Sequence, residues 1–184
     1  MFDESTDDEI LAKHAAQHVE AFAMLYRRYT NLVYSYLLSR VGNSEDAQDL
    51  TGQTFLAALE DIQTYHHRGR FVAWLLGIAH HKAADHFRQR PSWVNTEIIE
   101  ENVDTQAQPE TLVEQRLEME TIVKALDYLG PDRAEALRLR VFGELKMAEV
   151  AAVMGKSEGA VKMLVTRALA DLRHLLQSKQ ELLS

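Results

Sequence analysis

The chemistry open to this chain is bounded first by its eight histidines and its lack of any cysteine. Disulfides, thiolate metal sites and thiol redox centres are excluded. His14 and His18 stand four residues apart, a spacing that can hold a metal ion on a helix. The intervening Ala-Ala-Gln lacks the glutamate that serves a zinc hydrolase as general base. His66 and His67, like His80 and His81, are neighbours whose side chains diverge on a helix. Neither a nucleophile elbow nor a phosphate-cradling glycine loop occurs. The histidines therefore read as surface or loop residues; no enzymatic activity, metal or cofactor is expected.

Two other stretches stand out for their cations. The first, "QTYHHRGR", residues 63–70, reads as a polar, aromatic and basic loop. In "MAEVAAVMGKSEGAVKMLVTRALADLR", residues 147–173, two short helical runs meet at Gly155, with lysine and arginine on the second. A helix-turn-helix unit needs a small residue on its first helix, apolar residues at fixed offsets and often a glycine in the turn. Val150, Ala151, Met154, Gly155, Val161 and Leu164 fill those places, and Ser157 is positioned to cap the second helix. Lys156 stands where an aliphatic residue is more usual, which loosens the packing expected at the turn.

The segments that must position these groups read as helices, and the expected fold class is all-α: Gly and Pro are scarce within the periodic runs, while Ala, Leu, Glu, Gln and Arg are common. A first short helix is expected after Thr6, capped by its hydroxyl, with Asp7, Asp8 and Glu9 at the positive end of its dipole. A longer one follows, its core face built from Phe22, Leu25, Tyr29, Leu32, Val33, Tyr36 and Leu37 and its end set by Gly42. Ser44 is placed to cap a third helix with the apolar set Ala47, Leu50, Phe55, Leu59 and Ile62. Gly52 interrupts that helix at about 1 kcal/mol relative to alanine, which points to a close neighbour. The fourth helix carries Phe71, Trp74, Leu75, Ile78 and Ala79 on its core stripe. A further helix from near Val113 to about Tyr128 precedes one opened by Pro131 and closed by Gly143.

Charge is uneven along the chain, whose formal net charge is -8 at pH 7. Residues 1–90 hold 9 Lys+Arg against 12 Asp+Glu, residues 91–115 hold 0 against 6, and residues 116–184 hold 11 against 10. The middle stretch has two of the three prolines and no sustained apolar period, and reads as an acidic linker. The expected organisation is a helical domain over 1–90, a linker over 91–113 and a helix-turn-helix domain over 114–184. No run reaches the roughly eighteen apolar residues of a membrane span, and the acidic "MFDESTDDEI" is unlike a secretory signal. A cytoplasmic location without membrane insertion is expected.

The succession "AFAMLYRRY", "DAQDLTGQTFLAALE", "FVAWLLGIAHHKAADHFR", an acidic linker and "LRLRVFGELKMAEVAAVMGKSEGAVKMLVTRALADLR" resembles the extracytoplasmic-function sigma factors, the two-domain members of the sigma-70 family. The resemblance runs from about Asp7 to Leu176. It implies docking on RNA polymerase core, at the clamp helices of the largest subunit and the flap, and recognition of promoter DNA. Matched to the docking helix are Asp46, Asp49, Leu50, Gln53 and Phe55; acids beside exposed apolar anchors suit a basic partner surface. Gln48 and Thr54 stand where relatives often carry acids. Matched to the minus-10 element are Tyr65, His66, His67, Arg68 and Arg70 in the loop and His81, Lys82, Asp85 and Arg88 on the next helix. Trp74 matches a family position too, but its place on the apolar stripe favours the core.

For the minus-35 element the resemblance places the second helix of the motif in the major groove, with Ser157, Glu158, Gly159, Lys162, Met163, Thr166 and Arg167 at its outer face. Lys162 and Arg167 suit phosphates, Glu158 a cytosine amino group and Met163 a thymine methyl. Lys146, Lys156 and Arg138 are secondary phosphate candidates. The resemblance further implies an anti-sigma protein as a partner and a linker that threads a polymerase channel shaped for nucleic acid, with Glu97, Glu100, Glu101 and Asp104 as the candidate residues. So acidic a chain has little excess charge for binding DNA alone, and a polymerase that supplies the electrostatics resolves this. The alternative is an operator-binding helix-turn-helix regulator, which leaves the motifs of the first domain without a role.

Overall fold

The computed structural model describes residues 2–3, 5–66, 70–89 and 120–182, and no strand occurs among them. Helix α1 spans Asp8–Ala15. Its cap is Asp7, whose carboxylate accepts from the Glu9 amide at 2.8 Å. Thr6, expected in that role, is drawn instead into a turn around Asp3, whose carboxylate accepts from the Ser5 and Thr6 hydroxyls. Helix α2, Val19–Val41, ends where Gly42 takes the left-handed conformation at φ 71°, which a glycine adopts without strain. Asn43 then caps α3, Ser44–Asp61, by accepting from the Asp46 amide at 2.8 Å. Ser44, the expected cap, is one residue inside. A 3-10 turn at Ile62–Thr64 leads towards α4, Phe71–Gln89.

These four helices pack around Leu11, Leu25, Val33, Tyr36, Leu37, Phe71, Leu75 and Leu76, all buried. Two expectations on α3 are corrected. Gly52 has open space rather than a close neighbour, and Leu59 is exposed rather than in the core. Thr51 and Thr54 take inward places instead, each hydroxyl donating to the carbonyl four residues back, so that a hydroxyl can be buried without loss.

The C-terminal half begins, among the described residues, with a helix over 120–127, here α5. Helix α6, Pro131–Val141, opens with its proline in the first turn. The helix-turn-helix follows as α7, Met147–Met154, a turn through Gly155 at φ 62°, and α8, Glu158–Leu182. Glu149 accepts from the Lys146 amide at 2.7 Å, closing the first turn of α7, and the Ser157 hydroxyl accepts from the Ala160 amide at 3.2 Å, as its position predicts. Lys156 is held by an ion pair with Asp132 of α6 at 2.8 Å, so charge fixes a turn where an aliphatic contact is more usual.

The two halves are packed together, α2 against α6 and α4 against α7. Gly143 shows how tightly. The left-handed residue after α6 is Glu144, at φ 52°, not Gly143. A Cβ on Gly143 would lie 2.6 Å from the Leu139 carbonyl oxygen and 2.8 Å from Leu76 Cδ1 of the opposite half. This glycine serves close approach rather than helix termination.

Candidate nucleic-acid interface

Helix α8 lays its apolar residues Val161, Val165 and Ala168 against α6 and α7 and turns the other side outward. Ser157, Glu158, Gly159, Lys162, Met163, Thr166 and Arg167 are all exposed. Lys162 pairs with Glu158 one turn earlier at 2.8 Å, and the Thr166 hydroxyl donates to the Lys162 carbonyl at 2.8 Å. The surface thus offers two cations, an acid and a thioether with little neighbouring relief. Lys146 is exposed. Arg138, expected as a phosphate contact, is instead buried: its Nε donates to the Ser39 carbonyl at 2.9 Å across the junction of the halves. Burial holds its pKa below the ordinary arginine value.

The loop before α4 is only partly described; His67 and Arg68 lie outside the described residues, as do Glu97, Glu100, Glu101 and Asp104 of the linker. His66 is exposed. Tyr65 belongs to the core, being 6% exposed, and its hydroxyl donates to Glu9 at 2.6 Å. Burial, and then the hydrogen bond to Glu9, raise its pKa above the ordinary tyrosine value. Trp74 packs on that ring at 5.2 Å between centroids, the core role its stripe predicts. Arg70 projects from the start of α4 and meets the helix-turn-helix. Its Nε and Nη2 donate to the two oxygens of Glu149 at 2.7 and 2.5 Å, and Nη2 also to the Glu144 carbonyl at 3.2 Å. That hydrogen bonding, partly opposed by burial, lowers the Glu149 pKa. Further along α4, His81 is exposed, Lys82 is half-buried and Asp85 pairs with Arg88.

On α3, Asp49 and Gln53 are exposed and Asp46 is half-buried, 3.4 Å from His86 of α4. Leu50 and Phe55, expected as exposed anchors, face the core; Phe55 packs edge-on against Tyr26 at 4.7 Å. The outward apolar side chains are Leu56, 59% exposed, and Leu59, 43% exposed. One-residue shifts of this kind arise because Leu50, Thr54 and Ala58 define the inward stripe, and the residues beside them must turn away.

The sequence reading missed a polar cluster at the junction. Glu135 of α6 is 7% exposed. Its Oε1 accepts from the Tyr36 hydroxyl at 2.5 Å and from Arg40 Nη1 at 2.6 Å, and lies 2.7 Å from His80 Nδ1, a contact in which a carboxylate oxygen can only accept. Burial works to raise the Glu135 pKa, but the hydrogen bond from His80, the charge of Arg40 and the Tyr36 hydroxyl outweigh it and the net shift is downward. The available signal was a lone acid within "AEALRL", among residues that otherwise face inward. Among the described residues, no group of three or more His, Asp or Glu is placed to hold a metal. His14 and His18 lie 6.1 Å apart between ring centroids and both pack on Phe2. No helix among the described residues is long and apolar enough to cross a membrane.

A four-helix unit docked on a helix-turn-helix whose second helix exposes its outer face is the architecture of a two-part DNA-binding protein. Sequence families match both parts: sigma-70 region 2 over residues 25–92 and sigma-70 region 4 over residues 119–172. The chain is 39% identical over 172 residues to the ECF RNA polymerase sigma factor BldN of Streptomyces coelicolor, covering 91% of this chain but only 65% of BldN. It is 30% identical over 169 residues to the RNA polymerase sigma factor YlaC of Bacillus subtilis, covering 90% of this chain and 98% of YlaC. Among solved structures, CnrH in complex with the cytosolic domain of CnrY superposes with a TM-score of 0.70 at 26% identity, over 96% of this chain and 99% of CnrH. RpoE from Bartonella quintana, in complex with the anti-sigma factor NepR, shares the fold with a TM-score of 0.70 at 21% identity, over 86% of this chain and 98% of RpoE. The chain belongs to the extracytoplasmic-function sigma factors of the sigma-70 family, proteins of transcription initiation.

Proposed function

We propose that this chain binds RNA polymerase core and directs it to promoters read at two elements, minus-10 through the loop before α4 and minus-35 through α8. The observation that carries the reading is the presence, in order in one chain, of a region 2 match and a region 4 match whose second helix exposes its outer face. On this reading the domains divide as 1–90, 91–113 and 114–184. Asp49 and Gln53, with the outward Leu56 and Leu59, form the polymerase contact: an acid to steer, an amide to hydrogen-bond and apolar groups to hold. Arg70 is committed to Glu149 in this arrangement, so minus-10 engagement exchanges a carboxylate for a phosphate. The cytoplasm, where core polymerase works, is the corresponding location. The likeness to CnrH, solved with the cytosolic domain of CnrY, supports a controlling protein partner of the anti-sigma kind.

Transcription in vitro with bacterial core polymerase over a genomic fragment library tests the proposal. Transcripts that depend on this protein and share two upstream elements are expected. No transcript and no binding to core, together with operator-like binding by the free chain, would instead make it a helix-turn-helix regulator.

A further inference from the structure

We propose that Glu9, on the first helix, is a positioning residue for the minus-10 loop, holding both ends of that loop with one carboxylate oxygen. The inference rests on the reading of the loop given above. Glu9 Oε1 accepts from the Tyr65 hydroxyl at 2.6 Å and from the Phe71 amide at 3.2 Å. Tyr65 and Phe71 are the residues that flank loop 66–70, so a single atom sets where the chain leaves the 3-10 turn and where it enters α4. The Phe71 amide is one of the first-turn donors that have no acceptor within their own helix. A carboxylate is favoured there by the positive end of the helix dipole.

The carboxylate is itself fixed from behind. Helix α1 buries Leu11, Ala12 and Ala15 in the core. Asp8, the neighbour of Glu9, pairs with Arg28 of α2 at 2.5 Å and accepts from the Tyr29 hydroxyl. The rings at the loop's ends are locked as well, Tyr65 against Phe71 at 5.7 Å and Phe71 against Tyr29 at 5.8 Å between centroids. Since α1 lies outside residues 25–92, the region 2 match does not include this brace. Fixing Tyr65 and Phe71 fixes where their described neighbours His66 and Arg70 are presented to DNA, so releasing one anchor adds an ordering cost to binding.

The test uses the full chain in holoenzyme and a fork-junction probe cut from a promoter recovered in the transcription experiment, with 2-aminopurine at the unpaired non-template positions. Glu9→Ala is expected to weaken probe binding about tenfold, the size of one charge-assisted hydrogen bond, and to reduce the 2-aminopurine response of the bound complex. Binding to core and to a minus-35 duplex should stay within about twofold. Tyr65→Phe keeps the ring and removes one of the donors to Glu9 while the Phe71 amide remains, so its loss should be smaller, and the double variant should be no weaker than Glu9→Ala alone. Glu9→Gln retains an acceptor oxygen and should recover part of the loss.

Equal losses on core, minus-35 duplex and fork probe would reduce Glu9 to a residue of general stability and overturn the proposal. So would a Glu9→Ala holoenzyme within twofold of wild type on the fork probe while Arg70→Ala weakens it. If His66→Ala, Arg70→Ala and Glu9→Ala all leave fork binding unchanged, the assignment of the loop falls, and the proposal with it.

Discussion

Replacing Glu135 by alanine is expected to separate the two halves of the molecule well before either unfolds. One oxygen of this residue serves three donors from the other half, at 2.5 Å from the Tyr36 hydroxyl, 2.6 Å from Arg40 Nη1 and 2.7 Å from His80 Nδ1. All three bonds end on an ionised carboxylate, and each contributes about 1.5–3 kcal/mol, so the gross loss is about 4.5–9 kcal/mol. The Arg40 side chain is 14% exposed and can recover some hydration, which brings the expected cost to about 3–5 kcal/mol, the range for stranding one member of a buried ion pair. Because the chain has no cysteine, Glu60→Cys and Ala170→Cys can carry a dye pair across the junction, both residues being exposed. Energy transfer followed in urea then reports separation, while circular dichroism reports unfolding of the helices. Glu135→Ala should lower the separation midpoint far more than the unfolding midpoints. Apolar replacement of Glu135, Arg40 and His80 together should cost less than the single change, since Arg40 is then not left unpaired, while the buried Arg138 keeps its bonds to the Ser39 carbonyl and Asp127. A separation midpoint shifted by the equivalent of less than about 1 kcal/mol, or a triple variant worse than Glu135→Ala, would refute the argument.

The same dye pair serves the first two of three further expectations. Because the Glu135 and Glu149 carboxyls are both depressed below their ordinary value of 4.5, their stabilisation is complete above that value and is lost as pH falls through the lower folded values; junction separation measured against pH should show an acid limb that Glu135→Gln and Glu149→Gln each shrink. Gly143→Ala forces a Cβ within 3 Å of both a backbone oxygen and Leu76, and should weaken the junction by about 1–3 kcal/mol without altering core-polymerase binding. On α8, Lys162→Ala and Arg167→Ala should each reduce the salt slope of minus-35 binding by about 1, whereas Met163→Ala should leave the slope alone and alter preference at one base pair in a competition assay.

Local rules that act within one turn of chain were readable without a structure. Gly42 and Ser157 end and begin helices as their types predict, and Pro131 occupies a first turn. The same rules misplaced caps by one residue where two competent side chains adjoin. Asp7 displaces Thr6 and Asn43 displaces Ser44, because a carboxylate or amide oxygen one residue earlier or later reaches the first-turn amide equally well. Periodicity failed where polar residues occupy core places: Thr51 and Thr54 satisfy their hydroxyls within the helix and push Leu56 and Leu59 outward. The junction was illegible for a different reason. Tyr36, Arg40, His80 and Glu135 come from three helices separated by up to 99 residues, and no spacing rule links them.

Packing of the halves also changes how the charge of the chain should be understood. A groove-binding surface with free cations draws affinity from released counterions, and a net charge of -8 opposes that. Here many cations near the expected DNA surfaces already have a carboxylate. Arg70 is held by Glu149, Arg88 by Asp85, Lys162 by Glu158 and Lys156 by Asp132. Each such pair is worth little where it is exposed, about 0–1 kcal/mol, so a phosphate can displace the carboxylate once polymerase holds the DNA nearby. Without that proximity the exchange brings almost no gain, because one anion merely replaces another. Acidity and pairing therefore act in the same direction: they leave the free chain a poor DNA ligand and make its DNA contacts conditional on a partner that brings the two together.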